Sequence, residues 1–142
     1  MRRRIALLSL LAFLAFATSA GAFTGADFTK HRFGVTYLAL KALIQVACPG
    51  GTQSTDRVGD FSFCTGYIEI TRNGARVGYV PVALRTNDRI TQGVPLTRRT
   101  QRFMRRHRSM SVHLKMVTHD GRGNYASNGR DAVLYDDFHD AL

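Results

Sequence analysis

The chain has 142 residues, of which 20 are Lys or Arg and 10 are Asp or Glu, and its formal net charge is +10. This length fits one domain with a single core and is too short for two. The positive balance permits an anionic partner, such as nucleic acid, a cell-wall polymer or a membrane surface. Charge alone gives solubility and nonspecific attraction, so it excludes no fold and defines no site.

The first 22 residues have the features of a removable signal peptide. Arginines at positions 2–4 precede an uncharged apolar run at 5–17, and the small residues that end at Ala22 match a signal-peptidase site. The apolar run has 13 residues, whereas a bilayer core takes about 20, so a transmembrane helix is the weaker interpretation. We therefore expect a protein that is secreted or held at the cell envelope, with a mature net charge of +7.

Cys48 and Cys64 are the only cysteines of the chain. Export would place them where disulfides persist, and their spacing is unlike the Cys-x-x-Cys of a redox pair. The sequence therefore predicts a disulfide bond between them.

The first part of the mature chain is predicted to form a flexible arm and three strands. The arm covers residues 23–32, where no hydrophobic period is visible, and a strand at 33–40 follows. In the strands at 42–48 and 64–71, the even positions carry Ala, Ile, Val and Cys, and then Cys, Gly, Ile and Ile, an alternation that indicates a half-buried strand. The disulfide would join the end of one of these strands to the start of the next.

A hairpin is predicted after the third strand, because Asn73-Gly74 is a strong two-residue turn signal. A two-residue loop, however, would place the apolar residues of the fourth strand, 78–84, on the face opposite those of the third. We therefore predict a three-residue loop at 72–74, with Gly74 in the left-handed region and a bulge. Pro81 marks the fourth strand as a sheet edge or as a strand with a solvent-facing amide position.

A turn at 86–88, a strand at 90–96 and a short basic helix at 98–106 are predicted next. Thr97 is the expected helix cap, because its hydroxyl can accept a hydrogen bond from an unpaired amide of the first turn. In the following strand, at 110–118, apolar residues again have even numbers.

The end of the chain is predicted to contain one more strand. Glycine and asparagine indicate a turn at 120–124, and the last strand candidate runs from 125 to 135, with a possible interruption at 127–129. An acidic tail occupies residues 136–142 and is expected to fray or to fold against the arginines.

About seven short strands separated by turns predict an all-β fold. We expect a single antiparallel, immunoglobulin-like β-sandwich at residues 33–135, with one short basic helix between two late strands. The order of features resembles the immunoglobulin-like or fibronectin-like modules of secreted bacterial proteins. The matching segments are Cys48-Pro49, Cys64-Thr65-Gly66-Tyr67-Ile68, Leu96-Thr97-Arg98-Arg99, Ser111-Val112-His113-Leu114 and Asp120-Gly121-Arg122-Gly123-Asn124.

This resemblance implies a module for spacing, surface display or binding, since a shared fold does not transfer a site. The chain departs from antibody-type domains in two respects. It has no Trp, and its two cysteines are close together in sequence.

Four arginines of the predicted helix would share one face. Arg98, Arg102, Arg105 and Arg106 are offset by zero, four, seven and eight residues, which brings them to the same side of a helix. Their planar guanidinium groups suit phosphate and carboxylate, so this face is a candidate anion-binding site. The alternative is a solvated surface that the acidic tail partly neutralises.

His113 and His119 are the candidates for metal binding or catalysis. They are six residues apart on one predicted strand, or about 20 Å at 3.3 Å per residue, which is too far for a compact metal site. The chain has no Gly-x-Ser-x-Gly motif and no phosphate-binding glycine loop. We therefore expect no enzyme, no cofactor and no metal, and a small hydrolase using either histidine is a remote alternative.

Two hypotheses for the function follow. The first is a non-catalytic module, secreted or associated with the envelope, with a structural or binding role, for which another envelope protein is a candidate partner. The second is a binder of anionic polymers, such as cell-wall polymer, polysaccharide or nucleic acid, through the arginine-rich helix.

Overall fold

The computed structural model describes residues 25–36, 40–49, 56–58, 61–119 and 125–136, with the backbone alone at 56–58, 61 and 62. These parts of the chain form nine strands and one helix. In chain order they are β1 (Asp27–Phe28), β2 (Arg32–Val35), β3 (Lys41–Ala47), β4 (Asp56–Val58), β5 (Phe61–Arg72), β6 (Ala75–Arg85), β7 (Arg89–Pro95), α1 (Arg98–Met104), β8 (Ser109–His119) and β9 (Tyr125–Asp136).

The strands form one sheet, in which β7, β3, β2, β9, β8, β5 and β6 are neighbours in that order. β1 pairs with β3 beside β2, and β4 pairs with the beginning of β5. The sheet is mixed, because β2 and β9 are parallel, with Arg32 opposite Val133. The predicted all-β fold with one short helix is confirmed, whereas a purely antiparallel sandwich is not.

The sheet is open between its two terminal strands, β6 and β7, which form no continuous ladder in the described part of the chain. The turn at 86–88 connects them, and they meet again at a bridge between Gly78 and Leu96. Beside this bridge, the Thr97 amide donates a 2.8 Å hydrogen bond to the Val77 carbonyl. This contact holds the start of α1 against the start of β6.

The core consists mainly of even-numbered side chains, because each strand buries one face of its pleat. The prediction that β3, β5 and β8 bury their even-numbered residues is confirmed, including Val112, Leu114 and Met116 of β8. Burying each large aliphatic side chain stabilises the fold by about 1.5–3 kcal/mol. The largest fully buried aliphatic side chains are Ile44, Ile68, Ile70, Leu84, Leu114, Met116 and Leu134.

The turn between β5 and β6 corrects the sequence analysis, because the predicted three-residue loop is wrong. Asn73 and Gly74 alone form the turn, both with positive φ (50° and 76°), and Arg72 pairs directly with Ala75. A bulge at Val77 adds one residue to β6 and reverses its parity. Even-numbered residues of the two strands therefore face each other, as the hydrophobic pattern requires.

The predicted disulfide between Cys48 and Cys64 is confirmed, with the two Cα atoms 6.0 Å apart. It joins the end of β3 to the beginning of β5. The turn at 86–88 lies against it, since the Cys48 amide donates to the Asp88 carbonyl (3.1 Å) and the Asn87 amide donates to the Cys48 carbonyl (2.8 Å). The disulfide is therefore at the end of β6 opposite the Asn73-Gly74 turn. Such a bond fits a non-cytoplasmic location.

Other predicted segments differ in extent. β9 continues through 127–129 without interruption, because it pairs with β8 along its whole length. Within 23–32, predicted as a flexible arm, Asp27–Phe28 forms β1, and Ala26 and Phe28 are buried. The predicted signal peptide, the 120–124 turn and residues 137–142 of the acidic tail lie outside the described residues. Among the described helices, none is long and apolar enough to cross a membrane.

Candidate anion-binding site

The helix α1 is fixed in place by its first turn. Thr97 is the cap, as predicted: its hydroxyl oxygen accepts a hydrogen bond from the Thr100 amide at 3.4 Å and lies 2.9 Å from the Thr100 hydroxyl. The Gln101 side chain donates to the Leu96 carbonyl at 2.8 Å. Thr100 and Met104 are buried. Because α1 buries these two residues, its arginines point outward.

The four arginines predicted to share a helix face line two grooves, and Arg102 is common to both. α1 ends at Met104, so Arg105 and Arg106 follow the helix. Arg98, Arg102 and Arg105 line a shallow groove of about 400 Å³. Arg102 and Arg106 line a larger groove of about 950 Å³, which we call the α1 groove. All four side chains are exposed.

The α1 groove lies between α1 and the β5–β6 hairpin. The hairpin contributes Arg72 and Arg76, which sequence reasoning missed, as it also missed Arg99 and His107. The basic side chains that line the groove are Arg72, Arg76, Arg99, Arg102, Arg106 and His107. Arg72 and Arg76 flank the Asn73-Gly74 turn, and long-range contacts, among them the Thr97–Val77 hydrogen bond and the Gly78–Leu96 bridge, bring this turn to the helix.

Phe103 links the two walls of the α1 groove. The His107 ring stacks on it with the centroids 3.8 Å apart and the planes 6° from parallel. The Arg72 guanidinium carbon lies 4.0 Å from the same ring centroid. Two planar groups at this distance, close to van der Waals contact, fit only on opposite faces of one ring. Phe103 is therefore covered on both faces, and Arg72 is held across the groove.

The charge of the α1 groove is largely uncompensated by the residues that the structure describes. Arg76 forms an ion pair with Glu69, with 2.7 Å between nitrogen and oxygen. Within the described ranges, Arg72, Arg99, Arg102 and Arg106 form no ion pair, and no carboxylate lines the groove. Clustered like charges repel one another in the compact state. A bound anion would relieve this repulsion.

The two histidines considered for catalysis lie elsewhere on β8. His113 Nδ1 is 2.8 Å from Asp131 Oδ1, and the His119 ring is 5.7 Å from the Tyr125 ring. His113 and Asp131 line a third groove of about 530 Å³, which we call the β8 groove. Ser111 also lines it, but no hydrogen bond joins Ser111 to His113. No group of three or more potential metal ligands occurs among the residues that the structure describes.

Comparison with known proteins identifies no relative: no family model, no curated protein and no solved structure matches this chain. Its function has to be inferred from the geometry and charge of these surfaces.

Proposed function

We propose that this protein is a non-catalytic binding module, secreted or associated with the cell envelope, that holds an anionic polymer in the α1 groove. The observation that carries the proposal is the set of four exposed or half-exposed arginines, Arg72, Arg99, Arg102 and Arg106, without a carboxylate partner in the described chain. Guanidinium groups are planar and always charged, and they bind phosphate, sulfate or carboxylate through two parallel hydrogen bonds.

The non-catalytic part of the proposal is supported by the exposure of the His113–Asp131 pair. The His113 side chain is 50% exposed and the Asp131 side chain is 95% exposed. Catalytic polar groups act most strongly in sites from which water is excluded. A pair this open to solvent lacks that advantage, and a hydrolase using His113 or His119 remains the weaker alternative.

We also propose that the sheet folds as an immunoglobulin-like sandwich. Alternating burial in β3, β5 and β8 supports it, and the disulfide supports export. The parallel pairing of β2 with β9 departs from the antiparallel pattern of such modules.

Retention on immobilised heparin tests the proposed binding. Replacing Arg102 and Arg106 with Gln should lower the salt concentration at which the protein elutes. Each contact between an arginine and an anion of the polymer releases about one counterion on binding, and the variant makes fewer such contacts than the wild-type protein.

Arg89→Gln with Lys115→Gln is the matched control, because it removes the same charge from exposed positions outside the grooves. This control should elute close to the wild-type protein. If both double variants elute at the same salt concentration, retention follows net charge alone, and the proposed site is contradicted.

A further inference from the structure

We infer that Arg72 is the central contact of one continuous binding track, which crosses the tip of the β5–β6 hairpin and takes a linear anionic polysaccharide. The inference rests on the proposed function and deepens it, because it names the polymer class, the path of the polymer and the residue at the middle of that path. We call the α1 groove and the β8 groove together the track.

The two grooves meet at the hairpin. Arg72 and Asn73 line both of them, so the hairpin tip is their common wall. On the far side of the tip, His31 and Arg32 line the β8 groove. Among the described residues, Asp131 is the one carboxylate that lines that groove, and its Oδ1 lies 2.8 Å from His113 Nδ1. A chain laid across the tip would therefore meet basic side chains from β2, from the hairpin and from α1.

Phe103 positions Arg72 for this role. A free arginine side chain loses much rotational freedom when it binds a ligand, which weakens binding. The stacking of Arg72 on the ring restricts that freedom before the polymer arrives. A guanidinium group that lies over a ring with its face keeps its hydrogen-bonding edge available for a ligand. Phe103 is thus a positioning residue, and Arg72 is the group that touches the polymer.

The aromatic residues point to recognition of charge rather than of bases. Proteins that bind single-stranded nucleic acid stack the bases on open aromatic faces. Both faces of Phe103 are already covered, by His107 and Arg72. Among the described residues, the large hydrophobic side chains that are exposed are Tyr79 and Tyr125, and neither lines the track. The track therefore fits a polymer whose anionic groups are spaced along a single chain.

The affinity for heparin fragments of defined length, measured at several salt concentrations, tests the role of Arg72. Arg72→Gln should weaken binding about tenfold and reduce the salt slope by about one, because one charge-assisted contact is lost. Arg72→Lys keeps the charge but loses the planar stack and the fork, so it should recover only part of the affinity. Arg89→Gln is the control and should leave both quantities unchanged.

Variants of Phe103 test whether its ring positions Arg72, because they leave every charge of the track in place. Phe103→Leu keeps an apolar side chain and every charge of the track, and it should weaken binding about threefold to fivefold, since Arg72 is no longer restricted. Phe103→Tyr keeps the ring and should restore wild-type affinity. Thermal unfolding of each variant checks that the fold is intact. If Phe103→Leu is folded and binds like the wild-type protein, the positioning role is wrong.

The same assay distinguishes failure of the inference from failure of the proposed function. If wild-type protein shows no salt-sensitive binding, the proposed function fails. If it binds but Arg72→Gln behaves like Arg89→Gln, or short fragments bind as tightly as long ones, the track is wrong while the α1 groove remains a site. Duplex or single-stranded DNA should compete more weakly than heparin of equal charge, and stronger competition by DNA would overturn the assignment to polysaccharide.

Discussion

Thr118 and Thr86 carry two buried hydroxyl groups with different surroundings. The Thr118 hydroxyl accepts a 3.1 Å hydrogen bond from the Ala26 amide, and both residues are fully buried. The Thr86 hydroxyl is also buried, but it has no hydrogen-bond partner among the described residues. The first hydroxyl satisfies a buried backbone donor near the start of the described chain, whereas the second satisfies none.

Replacing each threonine with valine should therefore have different effects. Thr118→Val leaves the Ala26 amide unpaired inside the protein and should lower the free energy of unfolding by about 1–3 kcal/mol. Thr86→Val removes an unpaired polar atom and should change this free energy by less than about 0.5 kcal/mol. Urea unfolding of both variants measures the difference. Equal losses would show that the hydrogen bond to Ala26 contributes nothing.

At the scale of single elements, the sequence predicted the faces of the strands better than their ends. The burial of β3 and β8 follows from a period of two, which is visible in the order of apolar residues. The β5–β6 turn presented a conflict between the Asn73-Gly74 signal and the side-chain parity. The bulge at Val77 satisfies both requirements. Parity predicted a bulge in this hairpin but not its position, because a bulge leaves no strong local mark in a single sequence.

The disulfide is the element-scale feature that gives the clearest stability prediction. Cys48 and Cys64 are 16 positions apart, and closing a loop of this length stabilises the fold by about 3 kcal/mol in the chain-entropy model. Replacing both cysteines with alanine should lower the free energy of unfolding by about that amount. Denaturant unfolding of the variant and of the oxidised wild-type protein measures it. An unchanged midpoint would mean that the β3 and β5 ends are held by their other contacts alone.

At the scale of the whole molecule, the sequence predicted only part of the candidate site. The arginines of α1 are visible as a helical pattern, and Arg102 and Arg106 do line the α1 groove. Arg72 comes from a hairpin that reaches α1 through the contact between Thr97 and Val77. The parallel pairing of β2 with β9 joins segments about 100 residues apart. Such long-range contacts depend on packing of the whole chain and have no local sequence signature.

Like-charge clustering at one end of the molecule has a direct thermodynamic consequence. The α1 groove places Arg72, Arg99, Arg102 and Arg106 together without a described carboxylate partner. A polymer that supplies negative charge to this groove would bind the folded state and release its own counterions in proportion to the number of contacts. The number of anionic groups bound can therefore be counted from the salt dependence of the affinity.

The most direct measurement is the slope of log affinity for heparin against log salt concentration, for the wild-type protein and for the triple variant Arg72→Gln, Arg102→Gln, Arg106→Gln. The expected slope of the variant is smaller by about two to three, because each of the three contacts removed contributes slightly less than one. A triple variant that is folded and has the wild-type slope would contradict the assignment of the α1 groove as the binding site.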